Sequence, residues 1–159
     1  MRRVTALLGA AAVVGLMATT FAQGTNFSGT WTRDAGAAPA GGGGAFNCGM
    51  ECTISQDAKA LTIKRPANAQ TGTAPADIVL NLSGATKLEQ PGRGGAAATP
   101  YEVNAKWDGA KWVLSRVIDA QGTSITTTQT ISVEGGKLTV VTTSTREGAT
   151  PQTATYTKK

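Results

Sequence analysis

From Thr123 to Val133 the chain alternates without a break. Ile125, Thr127, Gln129, Ile131 and Val133 share one side, and Ser124, Thr126, Thr128, Thr130 and Ser132 share the other. Successive side chains of a strand point to opposite faces, so period two over eleven residues specifies a half-buried β-strand. Thirteen of the 25 Thr lie from Thr123 onward. Thr is β-branched and stiff at χ1, which favours pleated backbone and resists helix. Nowhere in the mature chain do apolar residues recur at i, i+3, i+4 and i+7 over three turns.

Shorter alternating segments fill the rest of the chain. They are Asn26–Arg33, Cys52–Gln56, Ala60–Arg65, Asp77–Ser83, Tyr101–Trp107, Lys111–Ile118, Lys137–Arg146 and Gln152–Lys158, with Thr86–Glu89 as a short continuation. Asp108-Gly109 and Gly135-Gly136 are two-residue turn signals. All six Pro fall between these segments or at their starts, as a hydrogen-bonded ladder requires. Two Gly- and Ala-rich stretches, 36–47 and 90–99, separate the segments. The first contains Gly41 to Gly44 and reads as a mobile loop with nothing apolar to bury. The expected architecture is all-β, with about 8–10 strands joined mostly by tight turns in an antiparallel up-and-down meander. An open meander leaves two bare edges, so closure into a small barrel is favoured over a flat sheet. A two-sheet β-sandwich is the alternative.

Residues 1–22 read as a secretory signal peptide. Arg2 and Arg3 form a basic start, Leu7–Met17 an apolar run of 11 residues, and Thr20-Phe21-Ala22 a small-residue cleavage site after Ala22. Eleven apolar residues are too few to cross a hydrocarbon core of roughly 30 Å. The mature chain, 23–159, then forms one domain without a membrane span, secreted or periplasmic. Removing the leader leaves 13 basic against 10 acidic residues, a net +3 without any cluster, which excludes a nucleic-acid footprint.

Export places Cys48 and Cys52 in an oxidising compartment. Their spacing allows a small disulfide loop if Gly49 takes a positive φ. A Cu(I) site using Cys48, Met50 and Cys52, or free or intermolecular thiols, are the other readings. With no His in the chain, no Ser-His-Asp triad, Cys-His dyad or His-based zinc site exists. The ten carboxylates mostly occupy turns and outer faces, and no pair among them is singled out for hydrolysis. The chain therefore reads as non-catalytic, with no cofactor and no metal.

Phe27-Ser28-Gly29-Thr30-Trp31 opens the first strand, and its Gly-x-Trp pattern resembles that of the lipocalin-like, or calycin, superfamily. That group includes lipocalins, fatty-acid-binding proteins, avidins and a set of periplasmic protease inhibitors. The runs Lys106–Val113 and Tyr156–Lys159 are also similar to small secreted bacterial proteins of this shape. The resemblance implies a barrel closed at one end by Trp31, with an Arg near the last strand stacked on the indole. Arg146 is the positional candidate for that cation–π pair. The Thr-Asp-Tyr-type turn of lipocalins, the helix pair of fatty-acid-binding proteins and the Trp-rich pocket of avidins are missing, which leaves the ligand open.

A small barrel has room for one ligand. The expected interior set is Tyr101, Trp107, Trp112 and Leu114, with Arg116 or Gln129 orienting a small, partly apolar molecule. Trp112, Leu114, Arg116 and Ile118 share a face, so Arg116 points inward if Trp112 does. A buried cation needs a paired acid or a ligand anion. The alternative function is a filled scaffold whose Gly-rich loops dock an envelope protein, in the manner of a protease inhibitor.

Overall fold

The computed structural model describes residues 25–39, 43–90, 97–120 and 122–159. The expected signal peptide lies outside these residues. The strands are β1 (Gly29–Arg33), β2 (Glu51–Gln56), β3 (Ala60–Lys64), β4 (Ile78–Asn81), β5 (Gly84–Gln90), β6 (Thr99–Asp108), β7 (Lys111–Ala120), β8 (Thr123–Glu134), β9 (Lys137–Ser144) and β10 (Gln152–Lys158). All ten belong to one sheet in the order β4-β3-β2-β1-β10-β9-β8-β7-β6-β5. Every hydrogen-bonded neighbour pair among the described residues is antiparallel. Sequence neighbours pair throughout, except across one seam, and the first strand pairs with the last at Trp31↔Lys158. The result is a nearly closed up-and-down barrel and not a two-sheet sandwich.

The seam lies between β4 and β5. Asn81 at the end of β4 spans it, donating its backbone N–H to Thr86 Oγ1 at 2.9 Å and its side-chain amide to Ala85 O at 2.6 Å. The residues expected as a short continuation, Thr86–Glu89, are the middle of a full strand that pairs with β6 from Gly84↔Ala105 to Gln90↔Thr99.

Alternation places the core. Ile54, Leu61, Ile63, Leu80, Val103, Leu114, Ile131, Leu138 and Val140 are buried, and Ile125, Thr127 and Gln129 join them from β8. At one end of the ring lie the β2–β3, β4–β5, β6–β7 and β8–β9 turns. There Phe27 stacks on Trp107 (centroids 5.9 Å, planes 13° apart) and lies 6.0 Å from Trp112. The two fully buried indoles find acceptors: Trp31 Nε1 donates to Phe27 O at 2.8 Å, and Trp112 Nε1 to Leu82 O at 3.0 Å. Gln56 ties down the entering chain, accepting from Phe27 N–H at 2.9 Å and donating to Thr25 O at 3.3 Å. This base is sealed by aromatic rings, and its two fully buried indoles, Trp31 and Trp112, both have hydrogen-bond partners, as buried Trp requires.

The Gly-x-Trp motif has a local explanation. Gly29 has φ +143°, a region that favours glycine, and a Cβ there would overlap the Lys158 side chain. Lys158 Nζ sits 5.6 Å from the Trp31 ring centroid. The cation implied for Arg146 is therefore supplied by Lys158, because the β1–β10 register sets Trp31 opposite Lys158. Arg146 belongs to the loop at the far end of the β9–β10 hairpin.

Asp34 continues the β1–β10 contact beyond the ladder. The Thr157 hydroxyl, 2.7 Å away, holds its carboxyl below the ordinary 3.8, with Thr155 and Lys137 adding to the effect. A depressed carboxyl stabilises the fold above its unfolded value and loses that contribution as pH falls through the folded one. Asp34→Asn is expected to lower the melting temperature at neutral pH, and the gap to the parent protein should close as pH drops below 3.8. A gap that persists unchanged into strong acid would contradict this assignment.

Candidate functional site

The four long connections, β1–β2, β3–β4, β5–β6 and β9–β10, and the short β7–β8 turn all leave the barrel at the end opposite the aromatic base. The β1–β2 connection does not stay outside. Ala45, Phe46 and Cys48 are buried, with Phe46 wholly inaccessible. This corrects the expectation of a loop with nothing to bury. Segment 43–48 turns inward and adds Ala45, Phe46 and Cys48 to the core, while Gly43 and Asn47 stay exposed.

Gln129 receives that segment. Its Oε1 accepts from Phe46 N–H at 2.8 Å, and its Nε2 donates to Phe46 O at 3.1 Å and to Thr142 Oγ1 at 3.5 Å. A buried amide must find partners for both ends, and here one loop residue supplies both. Gly44 makes this possible, since a Cβ at that position would overlap the Gln129 amide. Below the segment, Cys48 and Cys52 form a disulfide with Cα atoms 5.1 Å apart, and Gly49 has the positive φ (67°) that the short loop needs. The disulfide consumes both thiols and excludes the Cu(I) reading; Met50 is exposed and its sulfur meets Arg33 Nη2 at 2.6 Å. No cluster of three potential metal ligands occurs among the described residues.

Arg116 points inward, as its share of the Trp112 face requires, but it stops short of the core. Its guanidinium lies 3.8 Å over the Tyr101 ring, donates to Gln90 Oε1 at 2.9 Å and reaches Gly43 O at 3.4 Å. It thereby links β5, β6, β7 and the inserted segment at the open end. Its Nε is buried without a hydrogen-bond partner.

Beside this cluster is a cleft of about 430 Å3. Ile118 and Ile125 give it an apolar wall, Thr127 and Thr142 a hydroxyl floor, and Arg146 a cation at the rim. Gly43 forms part of its margin, so the cleft borders the inserted segment directly. No carboxylate pairs with Arg146 among the described residues.

The residues expected to line one cavity fall into three places. Trp107 and Trp112 form the sealed base with Phe27. Leu114 and Gln129 are opposite one another in the mid-barrel core. Tyr101 and Arg116 stand together at the open end. Phe46, Gly44, Thr142 and Arg146 were not among the expected ligand set. The available signal was Gln129 itself: an amide on an otherwise inward face needs a polar partner, and Phe46 is the one bulky apolar side chain in the Gly-rich stretch.

The ten meandering antiparallel strands, with the first paired to the last, form a small, nearly closed up-and-down barrel, the fold that the lipocalin-like resemblance implies. Solved structures that share this fold include the fluorescent protein UnaG, wild type, and an asparagine-to-glutamine mutant of the same protein. The wild type superposes with a TM-score of 0.52 at 18% identity, covering 84% of this chain and 97% of that one. The mutant gives 0.52 and 18%, covering 83% and 95%. At this identity the likeness is one of fold. No family model matches the chain, and no curated protein matches it.

Proposed function

We propose that this chain is an exported, non-catalytic single-domain barrel that binds a small, partly apolar molecule bearing an acidic group at its loop-bearing end. The observation that carries this reading is the cleft between the β7–β8 and β9–β10 ends, with Ile118 and Ile125 on one side and the unpaired Arg146 on the other. Apolar walls with a few convergent polar groups are the usual composition of a small-molecule site. Arg gives a planar fork suited to a carboxylate. The Cys48–Cys52 disulfide supports an oxidising compartment, in keeping with the leader read from residues 1–22. The lack of His and the dispersal of carboxylates support a binding role over catalysis.

The test is calorimetric titration of the mature protein with medium-chain fatty acids and their methyl esters. Because a fold neighbour is described as fluorescent, the panel also includes conjugated, fluorogenic acids. The acids are expected to bind and the esters to bind about tenfold more weakly, a difference of about 1.4 kcal/mol. Arg146→Ala should erase that preference, and Ile125→Trp should fill the cleft and abolish binding. Equal affinity for acid and ester removes Arg146 from the site, and no heat with any compound removes the reading. The second reading, docking of an envelope protein, draws on both Gly-rich stretches leaving the barrel at this same end. A pull-down from periplasmic extract, repeated with those stretches shortened, tests it.

A further inference from the structure

We infer that segment 43–48 is a removable plug seated in a second binding site, and that a small aromatic amide takes this site by displacing Phe46. The inference rests on the ligand-binding reading above and extends that cleft inward.

Three observations support it. First, apart from the Cys48–Cys52 disulfide that hinges its end to β2, the segment is held as a guest and not as part of the sheet. Among the described residues, no backbone–backbone hydrogen bond joins 43–48 to a strand. The N–H and C=O of Phe46 both go to the Gln129 side chain. Loops normally remain outside because their backbone groups lack partners within. Here a single interior amide provides both partners, the way a binding pocket orients a ligand.

Second, the seat is already equipped without its occupant. Gln129 stands between Leu114 and Thr142 on the neighbouring strands. Withdrawal of Phe46 would expose a donor–acceptor amide, the Thr142 hydroxyl and an apolar side wall. Thr142 belongs to this seat and to the floor of the outer cleft, and Thr127 of that floor lies beside Gly43 of the segment, so the two spaces would join.

Third, the fit is tight at a single point. Gly44 passes the Gln129 amide with no room for a Cβ. Any side chain at 44 must move either the segment or the amide that holds it.

The occupant defines the ligand class. Phe46 supplies an aromatic ring with an N–H donor and a C=O acceptor next to it. A competitor must replace all three, because an interior amide left unpaired is costly. N-acyl aromatic amino acid amides meet that requirement, and N-acetylphenylalaninamide is the probe.

Amide hydrogen exchange on the mature protein tests the plug directly. Without probe, Phe46 N–H should exchange through a local opening nearly insensitive to urea, whereas Ile131 and Val140 should exchange only through global unfolding. Saturating probe should speed exchange at Phe46 about tenfold while slowing it at the strand amides, and Gly44→Ala should raise the probe's affinity about tenfold by populating the open form. A probe methylated on its amide nitrogen should bind at least about tenfold more weakly. Exchange of Phe46 in step with Val140 overturns the plug. Binding that leaves Phe46 exchange unchanged also overturns it, while leaving the outer cleft intact. No binding of the probe overturns the inner site alone, since the fatty-acid titration decides the outer one independently.

Discussion

Trp112→Ala is expected to destabilise the protein by about 3–5 kcal/mol, the cost of deleting a large aromatic from a packed core. The indole is fully buried against Phe27, and its Nε1 is the partner of Leu82 O. Truncation leaves a cavity and strands that carbonyl at the β4–β5 turn. Chemical unfolding followed by circular dichroism should show a large loss in midpoint with an unchanged slope. Trp107→Ala should cost clearly less, because Trp107 is half-buried and stacks on Phe27 from the margin. Equal losses for the two variants would mean that the base is not built as described. The same pair separates structural from ligand-lining roles: neither substitution should alter fatty-acid binding beyond its effect on stability.

Gln129→Leu is the second large effect. Leucine keeps the volume and removes both hydrogen bonds to Phe46. Each orphaned buried group costs about 1–3 kcal/mol, so a segment that stayed in place would lose about 2–6 kcal/mol. A segment free to withdraw recovers those bonds from water, and the loss is then limited to the burial of Phe46, about 1.5–3 kcal/mol. Unfolding measurements together with proteolysis of the 43–48 region distinguish the cases. A loss near the lower range with new cleavage there is the expected result, and a loss near the upper range with continued protection is the opposing one.

Much of the barrel was legible because its strands are half-buried and their pattern is local. The face carrying Ile125, Thr127, Gln129, Ile131 and Val133 was read correctly as the inner one, as were Ile54, Leu61 and Ile63. Strand β5 was under-read, since Lys87 and Glu89 interrupt its apolar content and its register is imposed by β6. The plug was illegible for a different reason. Nothing between Gly43 and Asn47 has a period, and its burial depends on Gln129, 83 residues away from Phe46. The cation over Trp31 depends likewise on how far β10 slides past β1, which no local pattern encodes. The candidate ligand set failed to form one site because alternation reports which face is inward but not the height along the barrel axis.

The ring is fastened by its own two ends. Lys159, just past β10, donates its backbone N–H to Thr30 O at 2.9 Å. With β10 undocked the molecule is a nine-stranded curl with exposed rims, competent to stick to a second copy of itself. Protection from self-association therefore waits on the docking of β10, and a variant whose β10 cannot pair is expected to be sticky instead of only slightly weaker.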